Sequence, residues 1–230
     1  MTNRLTLNLQ KLAAVALSVG TLSLGSPLVA QGLNQSRATS ASTSEALAFR
    51  EETQAYTIGL QAVIYGQPIV SLSIEMNRQA SPYATWTPGS DIAPVNTFYN
   101  YAKLIEPGTA NPRAPNRDTI YYRAWIDLRA SPLIVTSPDT KGRYYNLDYV
   151  DMYSETAAHT GRRTTGTAEQ KALVVGPDWK GQVPAGMTLV RMATNQGLIF
   201  GRMYVAGPDD NKAVNELISR FKIEPLDPAA

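Results

Sequence analysis

Three carboxylates and an imidazole crowd the middle of this 230-residue chain: Asp148, Asp151, Glu155 and His159. Carboxylates and histidine are the usual carriers of general acid–base chemistry, and oxygen-rich clusters also admit calcium. Spacing constrains both roles. Side chains of a strand alternate between two faces. A strand through Gly142–Glu155 puts Asp148 and Asp151 on opposite faces. Asp151 and Glu155 share a face but stand about 13 Å apart at roughly 3.3 Å per residue. A regular strand therefore makes no catalytic carboxylate pair without a bulge or a neighbouring strand. His159 is the single histidine and there is no cysteine. A Ser-His-Asp triad can run only through His159, and thiolate chemistry and two-histidine metal sites are excluded within one chain. Asp148, Asp151 and His159 are the catalytic candidates. A lone histidine is more often structural.

Two basic segments could serve as anion clamps. Asn116-Arg117-Asp118-Thr119 precedes an apolar run, where Asn and Asp commonly close a turn through the backbone. Gly161-Arg162-Arg163-Thr164-Thr165-Gly166 is a glycine-bounded loop. It lacks the Gly-Lys-Ser/Thr ending of a phosphate-binding loop. The bland alternative for both is internal salt bridging. Tyr121, Tyr122, Trp125, Tyr144, Tyr145, Tyr149 and Tyr153 form either a ring-stacking surface or ordinary strand aromatics. The segment 142–155 has no clean apolar face, and buried donors and acceptors need partners. These points lead to one expected polar, ligand-binding patch: Asn116, Arg117, Asp118, Arg143, Tyr145, Asp151 and Arg163.

The elements that must position these groups change character along the chain. Glu45–Tyr65 predicts a helix capped by Ser44, and Ile69–Arg78 a second one after the Gly66-Gln67-Pro68 break. The stretch 81–94, with three prolines, reads as a loop. Strand-like runs follow at 119–128, 133–137, 143–153, 171–175, 188–193 and 198–205, divided by Gly and Pro. A last helix is expected from about Asp210 to Phe221, capped by Asp209 or Asp210. The fold class is thus α+β, mainly β: an antiparallel β-sandwich with N-terminal helices and a C-terminal helix.

Residues 1–30 read as an export signal: Arg4 and Lys11, then an apolar stretch and small residues ending at Ala30. Gln31–Ser44 reads as a disordered spacer, and 45–230 as a single globular domain (helical part 45–106, sandwich 107–208, terminal helix 209–222). The signal holds two of the 21 Lys+Arg and none of the 19 Asp+Glu, leaving nineteen of each behind it. A neutral mature domain disfavours nucleic acid as partner. A periplasmic or secreted location follows, with no stable membrane anchor after cleavage.

Several short motifs occur together in order: Pro115-Asn116-Arg117-Asp118-Thr119, Asp127-Leu128, Gly142-Arg143-Tyr144-Tyr145, Arg163-Thr164-Thr165-Gly166, Trp179-Lys180-Gly181 and Gly201-Arg202. In this combination the chain resembles the bacterial family called "domain of unknown function 1254", from about Tyr56 to Leu226. The resemblance implies helices followed by an immunoglobulin-like sandwich. It also implies pairing with a jelly-roll domain, "domain of unknown function 1214", which is absent before Ala230: either that domain is a separate partner protein or this chain is a reduced member of the family. It supplies no catalytic residue. The sequence favours a ligand-binding or accessory β-domain for a polar or anionic small molecule or glycan, without a cofactor, calcium being the one candidate. A hydrolase or lyase with an Asp base and Arg clamp is the alternative. A structural or assembly module beside the jelly-roll partner is a third.

Overall fold

The computed structural model describes residues 32–80, 91–105 and 116–227. The expected export signal and most of the 81–94 loop lie outside them. The chain divides into two units, 1–58 and 59–230. Of the first, the described part is helical backbone. All contacts discussed below belong to the second.

One helix, α1, spans Gly32–Ala80. Two expectations are corrected. The segment 31–44 is helical from Gly32 onward rather than a disordered spacer, so Ser44 lies inside the helix and does not cap it. Leu, Gln, Arg and Ala in that stretch are all good helix formers. Pro68 does not divide the helix either. A proline leaves the carbonyl four residues earlier without its partner. Here that residue is Ile64, which is exposed, so water can satisfy the carbonyl. By length and composition, Ser42–Ala80 would also suffice to cross a membrane. Within the second unit, Ile69, Leu72, Met76 and Ala80 pack against Trp125, Met152 and Leu198.

Among the described residues, nine strands form two sheets. These are β1 (Tyr99–Asn100), β2 (Thr119–Asp127), β3 (Leu133–Ser137), β4 (Tyr145–Asp151), β5 (Thr156–Gly161), β6 (Gln170–Val175), β7 (Met187–Arg191), β8 (Gln196–Tyr204) and β9 (Lys222–Pro225). The first sheet runs β1-β2-β8-β4-β5 and is antiparallel; the second runs β7-β6-β3-β9. Only β6 and β7 pair in parallel, which makes the second sheet mixed. The molecule is a mainly β, α+β sandwich, as the alternating runs predict.

β4 shows why the period matters. Tyr145, Leu147, Tyr149 and Asp151 are buried, while Asn146, Asp148 and Val150 are partly exposed. The buried face meets Leu133, Val135, Val174 and Val190 of the second sheet in one core. β2 is buried on both faces along most of its length, because α1 covers the outer side at Trp125. The expected terminal helix is shorter than 209–222. A 3-10 turn at Pro208–Asp210 leads into α2 (Asn211–Ile218), then β9. Asp210 occupies the N-cap position but makes no side-chain cap, because its carboxylate is engaged by Arg143. Phe221 turns inward against Tyr122 and Tyr145, ending the helix in favour of a strand.

Candidate functional site

The outer face of the first sheet is covered at one end and open at the other. Register places its side chains in rows. Asp148 of β4 lies opposite Phe200 of β8 and His159 of β5, and Phe200 opposite Arg123 of β2. The adjacent row is Tyr121, Arg202, Asn146 and Gly161. Next along comes Trp125, under α1. The helix thus seals the Trp125 end, and Arg123 is itself buried against Tyr101 and the Asp91 carbonyl, which leaves Asn146, Asp148, His159 and Arg202 toward solvent.

Asp148 is the hub. Its Oδ1 contacts His159 Nδ1 at 2.6 Å and accepts from Asn146 Nδ2 at 2.7 Å; its Oδ2 accepts from Arg202 at 2.6 Å. The Asp148 side chain is 14 % exposed and that of His159 55 %. A carboxylate against Nδ1 holds the neutral ring as the Nδ1–H tautomer, so Nε2 is the free acceptor. The Arg202 guanidinium lies 4.7 Å from the Phe200 ring and 5.8 Å from that of Tyr121. Asn146 Oδ1 is buried without a hydrogen-bond partner among the described residues.

Two clefts open here. One of about 370 Å³ is lined by Tyr144, Asn146, Asp148, His159, Arg163 and Arg202, among others. The other, about 330 Å³, has Asn116, Asp118, Tyr144, Arg163, Arg202 and Tyr204 on its walls. Arg163 borders both, 5.8 Å over the Tyr144 ring, and has no ion pair among the described residues. The loop that carries it is knitted by Gly161. The Gly161 carbonyl accepts from Thr164, Thr165 and Gly166, and its N–H donates to Thr165 Oγ1 at 3.0 Å. Gly161 has φ +142°, and a Cβ there would lie 2.3 Å from the Tyr145 carbonyl oxygen. Only glycine lets the end of β5 approach β4 so closely.

The structure brings together part of the expected patch. Asn116, Asp118 and Arg163 meet at the second cleft. Asn116 also closes a turn, its Oδ1 accepting from Thr119 N–H at 3.0 Å and Thr119 Oγ1 at 2.8 Å. Arg117 is exposed and lines neither cleft. Tyr145 borders the 370 Å³ cleft with Arg163, but its side chain belongs to the core, where its hydroxyl accepts from Gln170 at 2.7 Å. Asp151 points to the opposite face, 4 % exposed, and its Oδ1 accepts from the N–H groups of Tyr153 and Glu155. It holds the tight turn between β4 and β5 and cannot join Arg163. Arg143 is bound to Asp210 at 2.5 and 2.8 Å and to the Tyr204 carbonyl at 2.9 Å, a closed lock. Of the catalytic candidates, Asp148 and His159 do meet, across the β4–β5 pair.

Arg202 and Asn146 entered the sequence reading only as a family signature position and as a strand residue. The alternation Phe200, Arg202, Tyr204 on either side of Gly201 was the available signal for the first. Gly201 itself lies under Tyr122, where a Cβ would stand 2.4 Å from the ring. Among the described residues, no group of three or more His, Cys, Asp or Glu side chains is arranged to hold a metal ion.

The solved structures that are similar include two from bacteria. The VPA0106 protein from Vibrio parahaemolyticus is 29% identical, with a TM-score of 0.57, over 72% of this chain and 37% of that one. This chain therefore spans little more than a third of that protein's length. An uncharacterized protein from Burkholderia cenocepacia shares 15% identity, with a TM-score of 0.32, over 41% of this chain and 29% of that one, a likeness too slight to argue from. No protein of curated function matches. A family model described as "Protein of unknown function (DUF1254)" matches residues 95–225, more than half the chain and every strand of the sandwich. The chain belongs to the DUF1254 family.

Proposed function

We propose that this domain binds a small hydroxylated anion, of the sugar-acid type, in the Arg163–Asp148 clefts. The observation that carries this reading is Arg163. It is a guanidinium on a loop fixed by Gly161, held over Tyr144, bordering two concavities, with no carboxylate partner among the described residues. An arginine so placed offers a planar fork to a carboxylate. Tyr144 offers a ring face, and the free Nε2 of His159 and the carboxylates of Asp148 and Asp118 accept hydroxyl protons.

Isothermal titration calorimetry with galacturonate and with neutral galactose tests this. Galacturonate should bind and galactose should not. Arg163→Ala should weaken galacturonate at least about tenfold, as expected for a charge-assisted contact of roughly 1.5–3 kcal/mol. Equal binding of both sugars, or an unaffected variant, refutes the reading.

A hydrolase or lyase is the second reading, favoured by the 2.6 Å Asp148–His159 contact inside a cleft. An oriented imidazole with a free Nε2 is a general base awaiting a substrate proton. His159→Asn separates the two readings: turnover lost with binding retained supports the enzyme.

We also place this activity outside the cytoplasm, with residues 1–30 as the export signal. The support is the positive start and apolar stretch of that segment. Mass spectrometry finding Met1 intact on the native protein would refute it.

A further inference from the structure

A third and larger cleft, about 710 Å³, adjoins the first two. Tyr144 lines all three, and Tyr204 is shared with the 330 Å³ cleft. Sharing that wall, the three are taken together as one trough. The added length is strongly cationic. Lys141, Arg162 and Arg220 line it, and none has an ion pair among the described residues. Arg143, also on its wall, is neutralised by Asp210. The distribution is unusual for a domain with as many acidic as basic residues beyond residue 30. Three unneutralised cations in one concavity repel each other at a cost, unless a ligand supplies the counter-charge.

The clefts of 330 and 370 Å³ each fall within the size range of a site for a drug-sized ligand, so one sugar acid does not fill the trough. The geometry points to a chain-like ligand: an acidic oligosaccharide of uronate units, anchored at Arg163 and running past Tyr144 and Tyr204 to Lys141, Arg162 and Arg220. This inference rests on the sugar-acid reading of the Arg163 clefts and names the polymer of which that sugar acid is one unit. The tyrosines supply ring faces between the cations, as stacking on sugars requires. Asp118 and Asp148 on the walls decide against nucleic acid. Both chains carry a charge at every unit, but a uronate chain also brings ring hydroxyl donors to those carboxylates, which a deoxyribose-phosphate backbone lacks.

Calorimetry with galacturonic acid, its trimer and its hexamer tests the idea, with a single-stranded oligothymidylate as comparator, at low and moderate salt. Affinity should rise with chain length, and the rise should shrink with salt. Each cation removed should weaken the hexamer about two- to fivefold. In the Lys141→Ala/Arg220→Ala variant the hexamer-to-monomer affinity ratio should therefore fall at least fourfold. Both positions are exposed, so folding is expected to survive, and a circular dichroism melt checks it. Monomer binding without any gain for the hexamer overturns the oligosaccharide inference and leaves the sugar-acid reading standing. No binding of any uronate overturns both. Tighter binding of the oligothymidylate overturns the choice of a saccharide.

Discussion

Replacing Tyr122 by phenylalanine should stabilise this protein. Tyr122 is fully buried, and its hydroxyl has no hydrogen-bond partner among the described residues. Burial pushes its phenol well above the ordinary tyrosine value, and the neighbouring Tyr145, Tyr149 and Asp148 add to the effect. The ring itself is well placed. It lies 5.1 Å from Phe221 and 5.8 Å from Phe98, under the bare backbone of Gly201. A phenylalanine keeps all of those contacts. Removing the hydroxyl relieves an unpaired buried polar group, which costs about 1–3 kcal/mol. It leaves a void the size of one oxygen, worth about 0.3 kcal/mol at about 24 cal/mol per Å³. The balance is a gain of about 0.7–2.7 kcal/mol. For a domain of this size each kcal/mol moves the melting temperature by about 2–4 °C. The expected rise is therefore about 1–11 °C, read by thermal and guanidinium unfolding.

Tyr149→Phe is the matched control. That residue is equally buried on the same face, but its hydroxyl contacts Thr160 Oγ1 at 3.3 Å. The same deletion there should destabilise by about 1 kcal/mol. Opposite signs at the two positions are the signature of the argument. A lower melting temperature for Tyr122→Phe would refute it.

Two further outcomes follow from the site's supports. Gly161→Ala forces a Cβ against the Tyr145 carbonyl at φ +142°, and should lower the melting temperature by more than about 6 °C and abolish galacturonate binding; Gly166→Ala, with φ +90° but open space around it, should cost only about 1–2 kcal/mol, and equal melts for the two variants would contradict the close-approach argument. The hydrogen bond from Arg143, with help from the Ala206 N–H, holds the Asp210 carboxyl below the usual carboxylate range. A depressed folded-state value means stability present above the unfolded value of about 3.9 and lost as pH falls through the folded one. Asp210→Asn should therefore cost about 1–2 kcal/mol at pH 7 and flatten the loss of stability between about pH 4 and pH 2, measured by denaturant midpoints across that range.

How much of this was legible in the sequence depends on whether a feature is local. β3 was read to the residue, and β2, β4, β6, β7 and β8 within one or two, because each carries its own apolar rhythm between Gly and Pro. β5 was missed: Thr-Ala-Ala-His-Thr-Gly lies mostly exposed at a sheet edge and owes its conformation to β4, so no rhythm marks it. β1 and β9 are two and four residues long and form only against β2 and β3. The site divides the same way. That Asp148 and Asp151 face apart follows from period two. That Asp148 meets His159 requires knowing where the β4–β5 turn falls, and that turn is closed by Asp151 itself. Arg202 reaches Asp148 only because β8 inserts between β2 and β4, a pairing across 54 residues that no local pattern announces. The same insertion brings Phe200 and Arg202 beside Tyr121, Asn146 and Asp148, so the polar rows are assembled by topology rather than by any single motif. The Arg143–Asp210 lock spans 67 residues and removes from the pool an arginine that the sequence had assigned to a ligand. Which cations remain free is settled only after such pairings are spent, and in the Arg163 clefts that selection leaves Arg163.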